Sequence, residues 1–261
     1  MKYLKLIALT SLFTAFFGCS TNDQENANNL NGFSSPDNCP QLPVGPTSAY
    51  WEYGKGNPIP LSQQPVLQNP QATFSYAHGN TALPPFTLTP PQGYTAVDYA
   101  NPNTNPFGVN IIRNDGAAVW RYVPISTYSA NFTSTNILDI EVNNVTNAFG
   151  FNGNYNILCE SEPKVFSENG VVRVFRSRMI EFNNTRALVV VAAVYLESLF
   201  TASVSHVVAA GPSEEYDNLV MNIFLPLHFQ LYPKGGSPLS DRDNDGTPDI
   251  FDSAPDDPNK Q

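Results

Sequence analysis

From residue 109 to residue 232 short apolar runs alternate with turn residues, the pattern of sequential strands. VNIIR (109–113) and AAVWRYV (117–123) flank Asn114-Asp115-Gly116, residues that tolerate positive φ, so the three predict a hairpin. Strands are also predicted in TYSANFTS, in ILDIEV (137–142) and in YNILC (155–159), the last carrying Cys159. VVRVFRSRMIEF (171–182) and RALVVVAAVYL (186–196) flank Asn183-Asn184-Thr185, a second hairpin. The second of these runs is continuously apolar; its valines favour a strand covered on both faces over a buried helix. TASVSHVVAA (201–210) and LVMNIFLPLHFQLY (219–232) complete the set, with Pro226 marking a bulge or an edge. Strands in sequence with short turns predict an all-β fold, an antiparallel β-sandwich over residues 40–232.

The first part of that region is different. Between residues 40 and 106 lie 13 of the 23 prolines and one basic residue, Lys55. Such a stretch reads as extended, polyproline-like chain broken by turns. It also holds Trp51, Tyr53, Phe74, Tyr76, Phe86 and Tyr94, too many aromatics for a free linker. Extended segments packed on a sheet are expected.

The N-terminus changes the picture from fold to location. MKYLKLIALTSLFTAFFGCS places Lys2 and Lys5 before an apolar run at 6–17, followed by Gly18-Cys19. The run has the shape of a signal peptide and is short for a spanning helix. It resembles a bacterial lipoprotein signal, which implies cleavage of residues 1–18 and lipidation of Cys19. By the same resemblance, Ser20 after the cysteine suits the outer membrane. Residues 19–39 are polar and Asn-rich and read as a flexible tether.

Cleavage removes two lysines, so the formal charge of −10 becomes −10 − 2 = −12. So acidic a chain argues against nucleic-acid partners, which demand cations. With Cys19 lipidated, Cys39 and Cys159 remain. Two cysteines in an oxidising compartment most often pair; two separate buried thiols are the alternative. A bridge across so long a loop is worth roughly 4–5 kcal/mol on the chain-entropy model.

Catalytic signatures such as G-x-S-x-G, H-E-x-x-H, a P-loop or a dinucleotide fingerprint are absent. His78, His206 and His228 are the only histidines and share no metal-ligand spacing. His206 and His228 lie inside apolar runs and read first as hydrogen-bonded structural residues. Trp51/Tyr53 and Trp120/Tyr122 each have the i, i+2 spacing of one strand face. Exposed, they make a candidate aromatic platform for a sugar ring; buried, they are core. Arg173, Arg176, Arg178 and Arg186 form a candidate anion or partner patch, unless local Glu160, Glu162, Glu168 and Glu181 pair with them.

The acidic C-terminal stretch is more specific. Residues 241–257 contain seven aspartates. Asp241, Asp243, Asp245, Gly246, Asp249 and Asp252 occupy positions 1, 3, 5, 6, 9 and 12 of a calcium loop, with Thr247 offering its carbonyl at position 7. A cation turns the mutual repulsion of these carboxylates into coordination. Pro238 before the loop and Pro255 after it argue against the flanking helices of an EF-hand, and Pro248 at position 8 lacks the N–H with which paired EF-hand loops join. The run D-x-D-x-D-G-x-P-D-x-x-D-x-x-P-x-x-P-N over 241–259 resembles a thrombospondin type-3 repeat, present in one copy. That resemblance implies calcium as the ligand of an acidic tail, residues 233–261.

Together these readings predict a lipid-anchored outer-membrane lipoprotein, a non-enzymatic binding or structural part of an envelope or secretion assembly. The alternatives are a carbohydrate-recognition module and a hydrolase with an unrecognised site. An exposed aromatic groove favours the first alternative. A cleft holding a histidine beside a carboxylate and a hydroxyl favours the second.

Overall fold

The computed structural model describes residues 39, 42, 45–55, 64–76, 86–99, 107–129, 133–168, 171–196 and 201–230. In class it is antiparallel β. The order is α1 (Pro46–Gly54), β1 (Phe74–Tyr76), β2 (Phe86–Leu88), β3 (Tyr94–Asp98), β4 (Phe107–Arg113), β5 (Val119–Ser129), α2 (Ser134–Ala148), β6 (Asn156–Glu160), β7 (Lys164–Glu168), β8 (Val171–Phe182), β9 (Thr185–Leu196) and β10 (Thr201–Pro212). A 3-10 turn, α3 (Tyr216–Leu219), a π turn (Val220–Phe224) and α4 (Leu225–Phe229) follow.

β1 and β2 form a small sheet of their own. The other eight strands make one sheet in the order β3-β4-β5-β10-β9-β8-β6, with β7 also paired to β8. Both predicted hairpins form. Gly116 takes φ 75° in the first; Asn183 and Asn184 take φ 42° and 59° in the second, the left-handed pair a tight strand reversal needs. β9 is an interior strand, paired on both sides, and its apolar run feeds two cores. Leu188 and Val190 face α1 and the C-terminal helical segment, while Val189 and Val191 face α2.

Two predicted strands are helices. ILDIEV lies inside α2, where Ile137, Leu138, Val142 and Val145 form one buried stripe at helical spacing. Thr133 caps the helix through its Oγ1 and Asn136 returns the bond to the Thr133 N–H. The run after residue 219 is helical as well. Its apolar side chains fill the core against the sheet, and Pro226 follows directly on the π turn, whose Leu225 N–H reaches back five residues to the Val220 carbonyl, an irregularity that accommodates a residue without an N–H. Trp51 and Tyr53 also lie on a helix, α1, in the stretch read as extended chain.

Candidate functional site

β6 and β7 both run along β8, so one edge of the large sheet is split in two. Pairing with β8 breaks between Glu160 opposite Arg178 and Lys164 opposite Phe175. Ser161 bridges the break: its N–H donates to the Ser177 carbonyl and its Oγ accepts from the Ser177 N–H at 2.8 Å. A cavity of about 220 Å³ opens there, lined among others by Trp51, Lys55, Glu162, Lys164, Phe175 and Arg176. Ile157 and Val165, on either side of the break, are 48% and 59% exposed. Cys159 on β6 is joined by a disulfide to Cys39, which is fully buried.

The candidate arginine patch is not an open cationic surface. Arg178 is 5% exposed; its Nε donates to Glu160 Oε2 at 2.8 Å and its NH1 to Asp139 Oδ1 at 2.6 Å. Arg176 bonds Glu160 and Thr135. Arg186 donates to Glu181 at 3.0 Å and lies over the Tyr216 ring. The Arg173 side chain lies outside the described residues. Burial alone would raise the Glu160 carboxyl, but Arg178 and Arg176 hold it below its ordinary value. Pairing with nearby carboxylates therefore corrects the reading of three of the four as a free patch.

The aromatic platform is also corrected. Trp51 and Trp120 are fully buried and Tyr122 is 5% exposed. Trp51 and Tyr53 do not share a face, because two helical positions diverge where two strand positions align. Trp120 stacks on Tyr122 at 6.2 Å, and Tyr53 meets His228 edge-on at 4.8 Å. These rings are core.

A second polar cluster was not legible in the sequence. Glu141, fully buried on α2, accepts from the Tyr128 hydroxyl at 2.9 Å. Its other oxygen is 3.3 Å from His206 Nε2 and 4.0 Å from Arg121 NH1. Arg121 Nε donates to Asn110 at 2.8 Å, and its guanidinium lies 4.2 Å over Tyr99. Burial, opposed by Glu141 and reinforced by Arg121, holds the His206 pKa down to about 4. Burial likewise pushes the Tyr128 hydroxyl up, with Glu141 adding to it. The available signal was Glu141 itself, one acid set in the apolar stripe of a helix. His228 is buried too, and burial lowers its pKa to about 3.

Cys19, His78 and the loop formed by Asp241, Asp243, Asp245, Thr247, Asp249 and Asp252 lie outside the described residues. Among the described residues no group of three or more His, Cys, Asp or Glu is placed to hold a metal ion.

No family model matches the chain, and no curated protein matches it. Solved structures do. One is LpqN of Mycobacterium tuberculosis, described as involved in cell envelope biogenesis, at TM-score 0.31 and 13% identity over 57% of this chain and 83% of its own. Another is the Saccharomyces cerevisiae Ran-binding protein Mog1p, at TM-score 0.30 and 12% identity over 63% of this chain and 89% of its own. At these scores the likeness carries neither a family nor a role to this chain.

Proposed function

We propose that this chain is a lipid-anchored outer-membrane protein whose antiparallel domain binds or braces another envelope component and performs no chemistry. The observation that carries this reading is the N-terminal apolar run ending in Gly18-Cys19. The Cys39–Cys159 disulfide supports it, because such bonds persist in oxidising compartments. Cys39 stands 39 − 19 = 20 residues after Cys19, a length that spans at most about 70 Å. A pull from an acyl anchor enters the domain at Cys39 and passes through the disulfide into β6. The split edge beside that point, with Ile157 and Val165 exposed, is the surface best suited to a partner, since an unpaired strand edge offers backbone groups to a second chain.

The alternatives have less support. Burial of Trp51, Trp120 and Tyr122 takes away the sugar platform. His206 has a carboxylate beside it, and a hydroxyl on that carboxylate, but it is 1% exposed.

Fractionation and intact-mass analysis test the proposal. The wild type is expected in the membrane fraction with acyl chains on Cys19, and Cys19→Ser in the soluble fraction. A free amine and bare thiol at Cys19, or a soluble wild type, overturns the anchor. Cross-linking through Lys164 in intact membranes that returns only the monomer overturns the binding role.

A further inference from the structure

Helix α2 is attached to the sheet through its side chains. Its capping box closes its N-terminus on itself, so the helix needs no backbone bond from the sheet at that end. At its other end Gly150, at φ 67°, closes the last turn, with the Phe151 N–H bonded to the Thr146 carbonyl, and reverses the chain out of the helix. The strands beneath are different: β10 forms eleven register pairs with β9 and nine with β5. Backbone ladders hold the strands to one another, whereas side chains hold the helix to them.

The helix docks through the apolar stripe of Ile137, Leu138, Val142 and Val145, through Thr135 and Asp139, which accept from Arg176 and Arg178 of β8 near its outer end, and through Glu141, its one fully buried acid. Among the described residues, the following groups face His206. Glu141 approaches from α2, and Arg121 and Tyr128 belong to β5. Tyr99 comes from the end of β3, its ring edge-on at 5.8 Å. Val191 of β9 and Val123 of β5 are the ladder neighbours, and Asn110 of β4 holds Arg121 from behind. The charged partners within this set are one carboxylate and one guanidinium, so with a neutral imidazole the cluster balances.

We propose that Glu141, His206 and Arg121 form a proton-operated latch that closes α2 onto the sheet at neutral pH and releases it in mildly acidic surroundings. A proton on His206 places a second cation beside Arg121 against one carboxylate, sealed from water at 1% exposure of the His206 side chain. An unbalanced buried charge is costly, and lifting α2 gives it water. Release uncovers the apolar face under the helix, including Ile180, Val189, Val191 and Val208. The latch therefore couples acidity to a new hydrophobic surface, and it does so whether or not the chain carries a lipid.

The burial that holds the imidazole neutral down to about pH 4 sets the range. An open form with an ordinary histidine takes up one proton more than the closed form between about pH 6.5 and 4, so the opening constant of α2 rises about tenfold per pH unit across that range.

Amide hydrogen exchange followed by NMR on the full-length protein from pH 7 to pH 4.5, each rate referred to its intrinsic value, reads that constant. The α2 amides are expected to lose protection by about tenfold per pH unit, ahead of those at the centre of β9. In His206→Gln this dependence flattens. Glu141→Gln, which still accepts from Tyr128, opens α2 more at pH 7. Protection of α2 that is flat with pH, or that keeps the same slope in His206→Gln, overturns the latch. Should His206→Gln fail to fold, the wild-type imidazole decides: a ring that titrates near 6.5 with α2 still closed overturns it as well.

Discussion

Arg178 holds Glu160 through two guanidinium nitrogens, Nε at 2.8 Å and NH2 at 3.1 Å. This fork fixes the end of β6 to β8, and the same arginine reaches Asp139 on α2. Three elements thus share one buried cation.

Removing the cation leaves Glu160 and Asp139 with fewer partners than they were placed to have. Arg178→Met is expected to lose about 2 kcal/mol at pH 7, below the range for a fully buried pair because both carboxylates are partly exposed. Glu160→Gln costs less, since Arg178 keeps Asp139. The folded Glu160 titrates below its unfolded value of 4.5, so its contribution is full above that pH and fades as pH falls through the lower folded value. Urea unfolding at pH 7 and pH 3 checks both points: the Arg178→Met deficit is expected to shrink at pH 3.

The disulfide gives a second expectation. It joins residues 120 apart, with Cys39 just ahead of α1 and Cys159 on the split edge. Constraining so long a loop in the unfolded chain is worth roughly 4–5 kcal/mol. Cys39→Ser/Cys159→Ser is expected to unfold at lower urea by about that free energy, with α1 the first element to lose amide protection. An unchanged urea midpoint contradicts the bridge as a stabilising link.

His228 leads to a pH prediction of its own. It is buried against Tyr53 and Trp120, and burial holds it neutral down to about pH 3. A histidine with a lowered folded pKa binds its proton more readily in the unfolded chain. Stability is therefore full above the unfolded value of 6.5 and falls as pH drops towards the folded one. His206 behaves alike down to about pH 4. Each group contributes a slope of at most about 1.4 kcal/mol per pH unit. In His228→Leu the slope of urea stability between pH 6 and pH 5 is expected to fall to about half that of the wild type. An equal slope shows that His228 does not stay neutral in the native state.

The strands were legible where local signals agreed. β-Branched residues and the Asn-Asp-Gly and Asn-Asn-Thr turns all pointed to β4–β5 and β8–β9. They failed where a short apolar window was read alone. ILDIEV alternates when cut at six residues, yet over 134–148 its apolar positions fall at helical spacing behind a Thr133–Asn136 box. The run after residue 219 is apolar all round, so its period says little, and Pro226 was the clue that it was not a strand. The site followed the same division. Arg178 and Glu160 meet through strand register, visible in principle once β6 and β8 are paired. The cluster of Glu141, His206, Arg121, Tyr128 and Tyr99 comes from α2, three strand regions and a bulge between Val204 and His206, and no spacing along the chain encodes it.

The acidic tail carries the last expectation. Asp241, Asp243 and Asp245 stand at alternate positions before Gly246, and Asp249 and Asp252 supply the ninth and twelfth positions of the loop. Curling such a chain without a cation brings like charges together. A large divalent ion with flexible coordination reverses the sign of that interaction, and calcium suits many oxygen ligands better than magnesium does. The twelfth ligand is an aspartate, one methylene shorter than the usual glutamate, and there is a single repeat, so weak binding is expected, with Kd on the order of 10⁻⁴ to 10⁻³ M. Calorimetric titration of the full-length protein with calcium reads this directly. Heat of binding that is lost in Asp243→Ala/Asp245→Ala and not reproduced by magnesium supports the loop. No heat at millimolar calcium, or heat unchanged in that variant, shows that the aspartates serve only as a solvated charge.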